Sequence, residues 1–432
     1  MSEFTPGLQG LGFQDLLRLE GLKRLDTEFL ARLQQQNGER HAQLLAYRAG
    51  HACTPLQTSE LLLACAPLVE DIVGETFKIN NELEQARART LAHDPVFAFK
   101  KLFVLRRARR RLLTKEEIQN FAELDIWLTQ ALKAAGLDSP DRELAVAKFG
   151  QTLLTDIEVN KDAIEMLTHW CIQAFKTEVG RARVAGWVSF RLPQGVDHAH
   201  LVPIVPVPAD TLGRVQGPKE HYQPRDGFKL TDMRMNLRAV QNEVHYCIYC
   251  HDHDGDFCSK GFPEKKGEPE RGMKKNALGV SLDGCPLEEK ISEMHALKRD
   301  GHTVAALAMI MVDNPMCPAT GHRICNDCMK SCIYQKQDPV NIPQIETRCL
   351  TDVLDLPWGV EIYHLLTCWN PLRARQWLPK PYNGLKVLVN GMGPAGYPGA
   401  PFTHGGMRRG GRGRPQDRGA AGYADAKSDT RL

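Results

Sequence analysis

The sequence predicts a mainly α-helical protein that carries a cysteine-built site in its second half. Three observations lead there. Apolar residues recur at helical spacing through the first 180 positions. Eight of the thirteen cysteines fall between Cys247 and Cys332. Near the end, an apolar strand runs into a glycine-rich turn and then into a Gly/Arg-rich tail.

The elements follow in order. In "FQDLLRLEGLKRLDTEFLARL", Phe13, Leu16, Leu17, Leu22, Leu25 and Leu30 fall roughly on one helical face. "FKKLFVLRRARRRLL" reads as a basic amphipathic helix, either a solvated face over a core stripe or a dock for an acidic or phosphate-rich partner. Asp141 precedes "RELAVAKF" as a helix cap. Residues 1–180 are therefore a helical region with no role of their own in view. Residues 181–227 change texture. "GWVSFRLP" and "HLVPIVPVP" are short, β-branched and punctuated by proline, which predicts a strand-and-loop connector. The cysteine-rich segment occupies 228–375, the strand and glycine turn 384–397, and the tail 398–432.

Composition is that of an ordinary globular chain, 42% hydrophobic and 25% charged. A formal charge of +3 gives no general case for nucleic acid, which is not expected as a partner. "MSEFTPGLQGLGFQDLL" lacks the charged-then-apolar order of a leader. The most apolar run, "ELLLACAPLVEDIV", is too short to span a bilayer. The expectation is a cytoplasmic protein with no membrane span, whose cysteines stay reduced.

Cys53, Cys65, Cys171, Cys349 and Cys368 are scattered and read as small buried apolar residues. The other eight have ligand spacing: Cys247-x2-Cys250-x7-Cys258, then Cys285, then Cys317-x7-Cys325-x2-Cys328-x3-Cys332. A cubane cluster takes one terminal thiolate per iron, so eight thiolates match two four-iron clusters. Two four-cysteine zinc sites would accept the same ligands. Cys247 to His251 satisfies C-x-x-C-H, but haem attachment would leave six neighbouring cysteines unexplained. "DHDGD" fails as a calcium loop, because Phe257 and Pro263 stand where glycine and glutamate belong. His251 and His253 read as polar neighbours of the site.

"AVQNEVHYCIYC", "GCPLEEKI", "NPMCPATGHRICNDCMKSC" and "VNIPQIE" together resemble the N-terminal helical ferredoxin domain of the glutamate synthase small subunit. Dihydropyrimidine dehydrogenase and related flavin oxidoreductases share that domain. The resemblance covers about residues 228–397. It implies an α-helical ferredoxin fold with two 4Fe-4S clusters. Cys247, Cys250, Cys258 and Cys332 would hold one cluster. Cys285, Cys317 and Cys328 would hold the other, completed by Glu346 after the "VNI" turn or by Cys325. The chain departs from the family in the long Cys250–Cys258 gap, and in the charged insertion before Cys285, expected as an exposed loop.

"LKVLVNGMGPAG" places Gly391, Gly393 and Gly396 after an apolar strand, the pattern of a turn against a pyrophosphate. By resemblance this is the opening of a Rossmann-like FAD domain. Pro398 and Pro401 then break the helix that should follow. FAD and NAD(P)H belong to the full-length family and are doubtful in this chain. The tail is either a genuine RNA-binding arm or the product of a slipped reading frame. One choice of codons, read one base later, yields an apolar strand ending in Asp. The expected function is the N-terminal portion of an NAD(P)H-dependent FAD and iron–sulfur oxidoreductase. It would pass electrons through two clusters to an acceptor domain or subunit, with no complete catalytic site of its own. The alternative is a non-enzymatic zinc- or cluster-binding module with an RNA-binding tail.

Overall fold

The computed structural model describes residues 6–379 apart from 113–118, 220–221, 223–226, 228–232, 254, 266–267 and 322–323, and also Leu388, Asn390 and Gly391. The described chain is mainly helical. No helix in it is long and apolar enough to cross a membrane.

Two hydrophobic cores organise these helices, and their boundary does not follow the chain order. The first core joins residues from Leu8 to Leu83 with residues from Val240 to Leu372. The second lies between Val96 and Phe190. The segment 94–190 is thus a helical unit inserted between the two halves of the first.

The first core is centred on the helix Thr303–Asp313, "TVAALAMIMVD". Its residues from Thr303 to Val312 are all buried. A helix apolar on every side must be surrounded, and Pro55–Phe77, Ile291–Arg299 and Ile342–Leu354 surround it. Its N-terminus is capped from outside. Glu70 Oε2 accepts the Val304 and Ala305 backbone N–H groups at 2.7 and 3.1 Å, and Oε1 lies 2.9 Å from His302 Nδ1. A carboxylate there satisfies orphan donors and complements the helix dipole. The helix Leu19–Gln36 turns Leu22, Leu25, Phe29 and Leu33 inward. Its Asp26 receives Arg48 at 2.8 and 3.0 Å and the Trp369 indole N–H at 3.1 Å. The start of the chain is therefore built into the same body as the cysteine-rich segment.

The second core docks on the helix Leu237–Tyr246, which leads directly into Cys247. Lys100 Nζ donates to Val188 O, Arg191 O and Asn242 Oδ1 at 3.1, 2.6 and 2.6 Å. Burial among these acceptors pulls the Lys100 amine down to about 8. Phe97 stacks on His245 at 4.3 Å. Arg238 pairs with Asp141 and Glu143.

Several sequence expectations change locally. Asp141 does cap the helix Arg142–Leu153, accepting the Leu144 N–H. The basic segment is not one α-helix. It runs as α from Asp94 to Phe99, widens to a π-helix over Lys100–Ala108, and resumes as α over Arg109–Arg111. The helices Ile291–Arg299 and Thr303–Asp313 are separated at Gly301, where φ is +81°. "GWVSFRLP" forms turns, and the connector's only paired strands among the described residues are Val205–Pro206 and Val215–Gln216, antiparallel with Val205 opposite Gln216. Prolines in this stretch remove the donors a longer ladder needs. Cys53 is exposed and Cys368 half-buried, while Cys65, Cys171 and Cys349 are buried as expected.

Candidate thiol site

All thirteen cysteines are free. Cys247 caps the C-terminal end of Leu237–Tyr246, Cys250 opens the tight turn Cys250–His253, and Cys258 sits in the short helix Phe257–Lys260. Cys332 arrives from the other side of the sequence. It lies in hydrogen-bond contact with Cys258 and senses Cys247 and Cys250 electrostatically. Hydrogen bonding with Cys258, then backbone N–H groups of Tyr334, Val340 and Ile333, hold the Cys332 thiol down at about 7. Burial pushes Cys247 up to about 12 and Cys250 up to about 11. The Tyr249 N–H points at Cys247 Sγ, 3.4 Å away. A stacked pair, Tyr246 on Tyr334 at 4.3 Å, stands beside this set.

Cys285, Cys317, Cys325 and Cys328 make up a second set, which is not separate from the first: Cys258 also senses Cys328. Cys328 senses Cys285 and Cys325, and Cys285 senses Cys325. Cys317 and Cys328 share two buried carboxyls, Glu289 and Glu346. Burial raises both of these thiols well above their ordinary range, and raises Cys285 to about 11. Asn314 bridges the acids: its Nδ2 donates to Glu289 Oε1 at 2.8 Å, to Thr320 Oγ1 at 2.9 Å and to Glu346 Oε1 at 3.3 Å. Burial pushes Glu289 up to about 7 and also holds Glu346 well above the ordinary carboxylate range. Cys325 is half-buried, with Sγ 3.7 Å from Asp327 Oδ2.

His251 is buried, with Nδ1 2.5 Å from Ser292 Oγ, and His253 is exposed. Glu289 went unnoticed in the sequence. Its signal was its place four residues after Cys285, just past the turn that follows that cysteine. Gly391 has a left-handed φ of +97° with open space around it, while Gly393, Gly396 and the tail 398–432 lie outside the described residues.

Comparison with known proteins redirects the family reading. Residues 7–78 match a family model described as the RP005 N-terminal alpha-helical domain. The chain is similar to two uncharacterized proteins of Rickettsia prowazekii (strain Madrid E). RP006 is 62% identical over 82 residues, 19% of this chain and 12% of that protein. RP005 is 27% identical over 303 residues, 65% of this chain and 95% of that protein. The chain thus spans about an eighth of RP006 and nearly all of RP005. No solved structure matches.

These findings overturn the resemblance to the glutamate synthase small subunit and dihydropyrimidine dehydrogenase. The descriptions taken from it (oxidoreductase, iron–sulfur electron-transfer protein, FAD- and NADP-dependent) have no support from the relatives. The physical reason is that cysteine spacing records the local wrapping of a loop around a ligand, which unrelated chains can share. Among the described residues no group of three or more Cys, His, Asp or Glu side chains is placed to hold a metal ion.

Proposed function

We propose that the two thiol sets each seat a four-iron cluster, and that the chain serves as an electron carrier for a partner domain or subunit. The proposal rests on this chain's own thiols and not on any family. The observation that supports it is the gathering of eight buried or half-buried thiols from residues far apart in sequence: Cys258 meets Cys332 and senses Cys328 and Cys247, and Cys328 senses Cys285 and Cys325.

The donor set fits such a group. Buried sulfurs with raised pKa values are costly as free thiolates and favourable once an iron shares their charge. Backbone N–H groups converge on Cys332, and another reaches Cys247, which suits anionic sulfur. Cys247, Cys250, Cys258 and Cys332 would hold one cluster. Cys285, Cys317, Cys328 and Cys325 would hold the other, with Glu346 as a reserve oxygen donor. When bound, each cluster would supply one-electron exchange. The protein's contribution is to bury the ligands and to fix their positions through the helices around Thr303–Asp313.

Anaerobic reconstitution of the purified chain tests this. The expected product is brown and bleached by dithionite, with about eight iron and eight acid-labile sulfides per chain. A colourless protein that retains zinc and yields no sulfide would refute it.

A further inference from the structure

The insertion between Cys258 and Cys285 is a closed loop, not a loose excursion. Phe262 N–H donates to Leu282 O, Lys274 N–H to Phe262 O and Leu282 N–H to Lys274 O, at 2.8, 2.8 and 2.9 Å. Pro263 bridges to Met273 and Lys275 to Ser281. Its two ends meet at a pair of glycines. Gly261 and Gly284 both hold left-handed φ values, +85° and +81°. A Cβ on Gly284 would lie 2.4 Å from Gly261 N and 2.6 Å from Ser259 O. One on Gly261 would lie 2.7 Å from Leu282 O and Asp283 O. Only glycine permits this crossing.

The crossing has a consequence for the thiols. Each strand of the neck carries a ligand of a different set. The Cys285 N–H donates at 2.9 Å to both Cys258 O and Ser259 O. The Gly284 N–H donates at 2.9 Å to Ser331 Oγ, and Ser331 lies between Cys328 of the second set and Cys332 of the first. Two independent connections therefore clamp the sets together, one through the neck and one through the Cys328–Cys332 segment. The short helices Phe257–Lys260 and Asp327–Lys330, which carry Cys258 and Cys328, pack against each other.

We infer that the Gly261–Gly284 neck is a positioning device that joins the two thiol sets into one electronic unit, so that clusters seated in them interact directly. This rests on the cluster reading above and adds to it. The loop beyond the neck has no part in the coupling.

Electron paramagnetic resonance of the fully reduced, reconstituted chain tests the inference separately from the reading beneath it. Iron and sulfide content reports whether clusters form, and the spectrum reports whether they interact. The expected spectrum is broadened and split by spin–spin interaction. Full iron content with two independent signals would overturn the inference and leave the cluster reading standing. Absence of sulfide would remove both. Gly284→Ala is expected to keep at least the first cluster's iron and lose the splitting, and an unchanged splitting counts against the neck. Ser331→Ala reads the same contact through a milder change, with a reduced splitting expected, and decides the matter where Gly284→Ala does not fold. Replacing residues 264–272 by a short Gly-Ser linker should leave the splitting intact. Its loss there would assign the coupling to the outer loop and overturn the proposal.

Discussion

Around Cys247, Cys250, Cys258 and Cys332, the charges that weigh most on each sulfur are the other sulfurs. Around Cys285, Cys317 and Cys328 they are carboxyls, Glu289 and Glu346. The first set has four donors and a tyrosine stack beside it. The second has four sulfurs, two buried acids and one amide, Asn314, shared between those acids. The contrast is one of weight: the acids sensed by the first set, Asp256 at Cys250 and Glu293 at Cys247, count for less there than the sulfurs do, while in the second set the acids come first. A buried carboxyl beside a thiol set is costly when nothing draws on its charge, because burial disfavours the ionised form.

The largest effect should come from removing a sulfur from the first set. Cys332→Ser leaves the first set with three sulfurs. Iron after reconstitution should drop from about eight to about four per chain. Retention of all eight would show that the first set also has a reserve, and would erase the contrast.

The acids predict a pH effect in the metal-free protein. Burial holds Glu289 at about 7, against an ordinary value of 4.5 and despite its bond to Asn314. The folded chain therefore keeps a proton that the unfolded chain releases. The associated stability is fully present below pH 4.5 and is lost as pH rises through 7. The size is on the order of 3 kcal/mol. Glu289→Gln should flatten this slope in urea titrations across that range. A slope unchanged in the variant would assign it to other buried groups.

A smaller effect should appear beside the first set. The Tyr246 hydroxyl donates to Asp338 O at 2.9 Å and accepts from Gln337. Tyr246→Phe keeps the ring on Tyr334 but removes both bonds. The expected cost is about 1 kcal/mol in the unfolding free energy, with iron content unchanged. Loss of first-set iron would show that the hydroxyl, not the ring stack, closes that site.

What the sequence revealed divides along physical lines. Helices with strong periodicity were legible, as in Leu19–Gln36, because one apolar face records one buried face. The Asp141 cap was legible because capping is local. The thiol spacing was legible as ligand chemistry but not as ancestry. The interleaving of two cores was not legible, since nothing local says that Leu8–Leu83 packs against Val240–Leu372 and not against its neighbour in sequence. The π-helix at Lys100–Ala108 escaped for the same reason. Lys100 is held by acceptors at positions 188, 191 and 242, and no window of sequence contains them. Glu70, Glu289 and Glu293 carry no local sequence signal of burial, and are buried partners only through distant elements. Glu293, for instance, takes the Ser59 hydroxyl at 2.5 Å.

The least perturbing change tests the comparison most finely. Cys325 is a half-buried sulfur of the second set, held near Asp327. Glu346 is buried and acts on both Cys317 and Cys328. Each can serve as the fourth donor if the other is removed, since thiolate and carboxylate both bind iron. Cys325→Ser alone should therefore keep about eight iron per chain, with a shift in the reduced spectrum of one cluster only. Glu346→Gln alone should keep the iron and leave the spectrum unchanged. The double variant should fall to about four. If Cys325→Ser alone already loses four, the buried carboxyl is no reserve. The second set would then be as exacting as the first, and its acids would serve only to set the charge around the sulfurs.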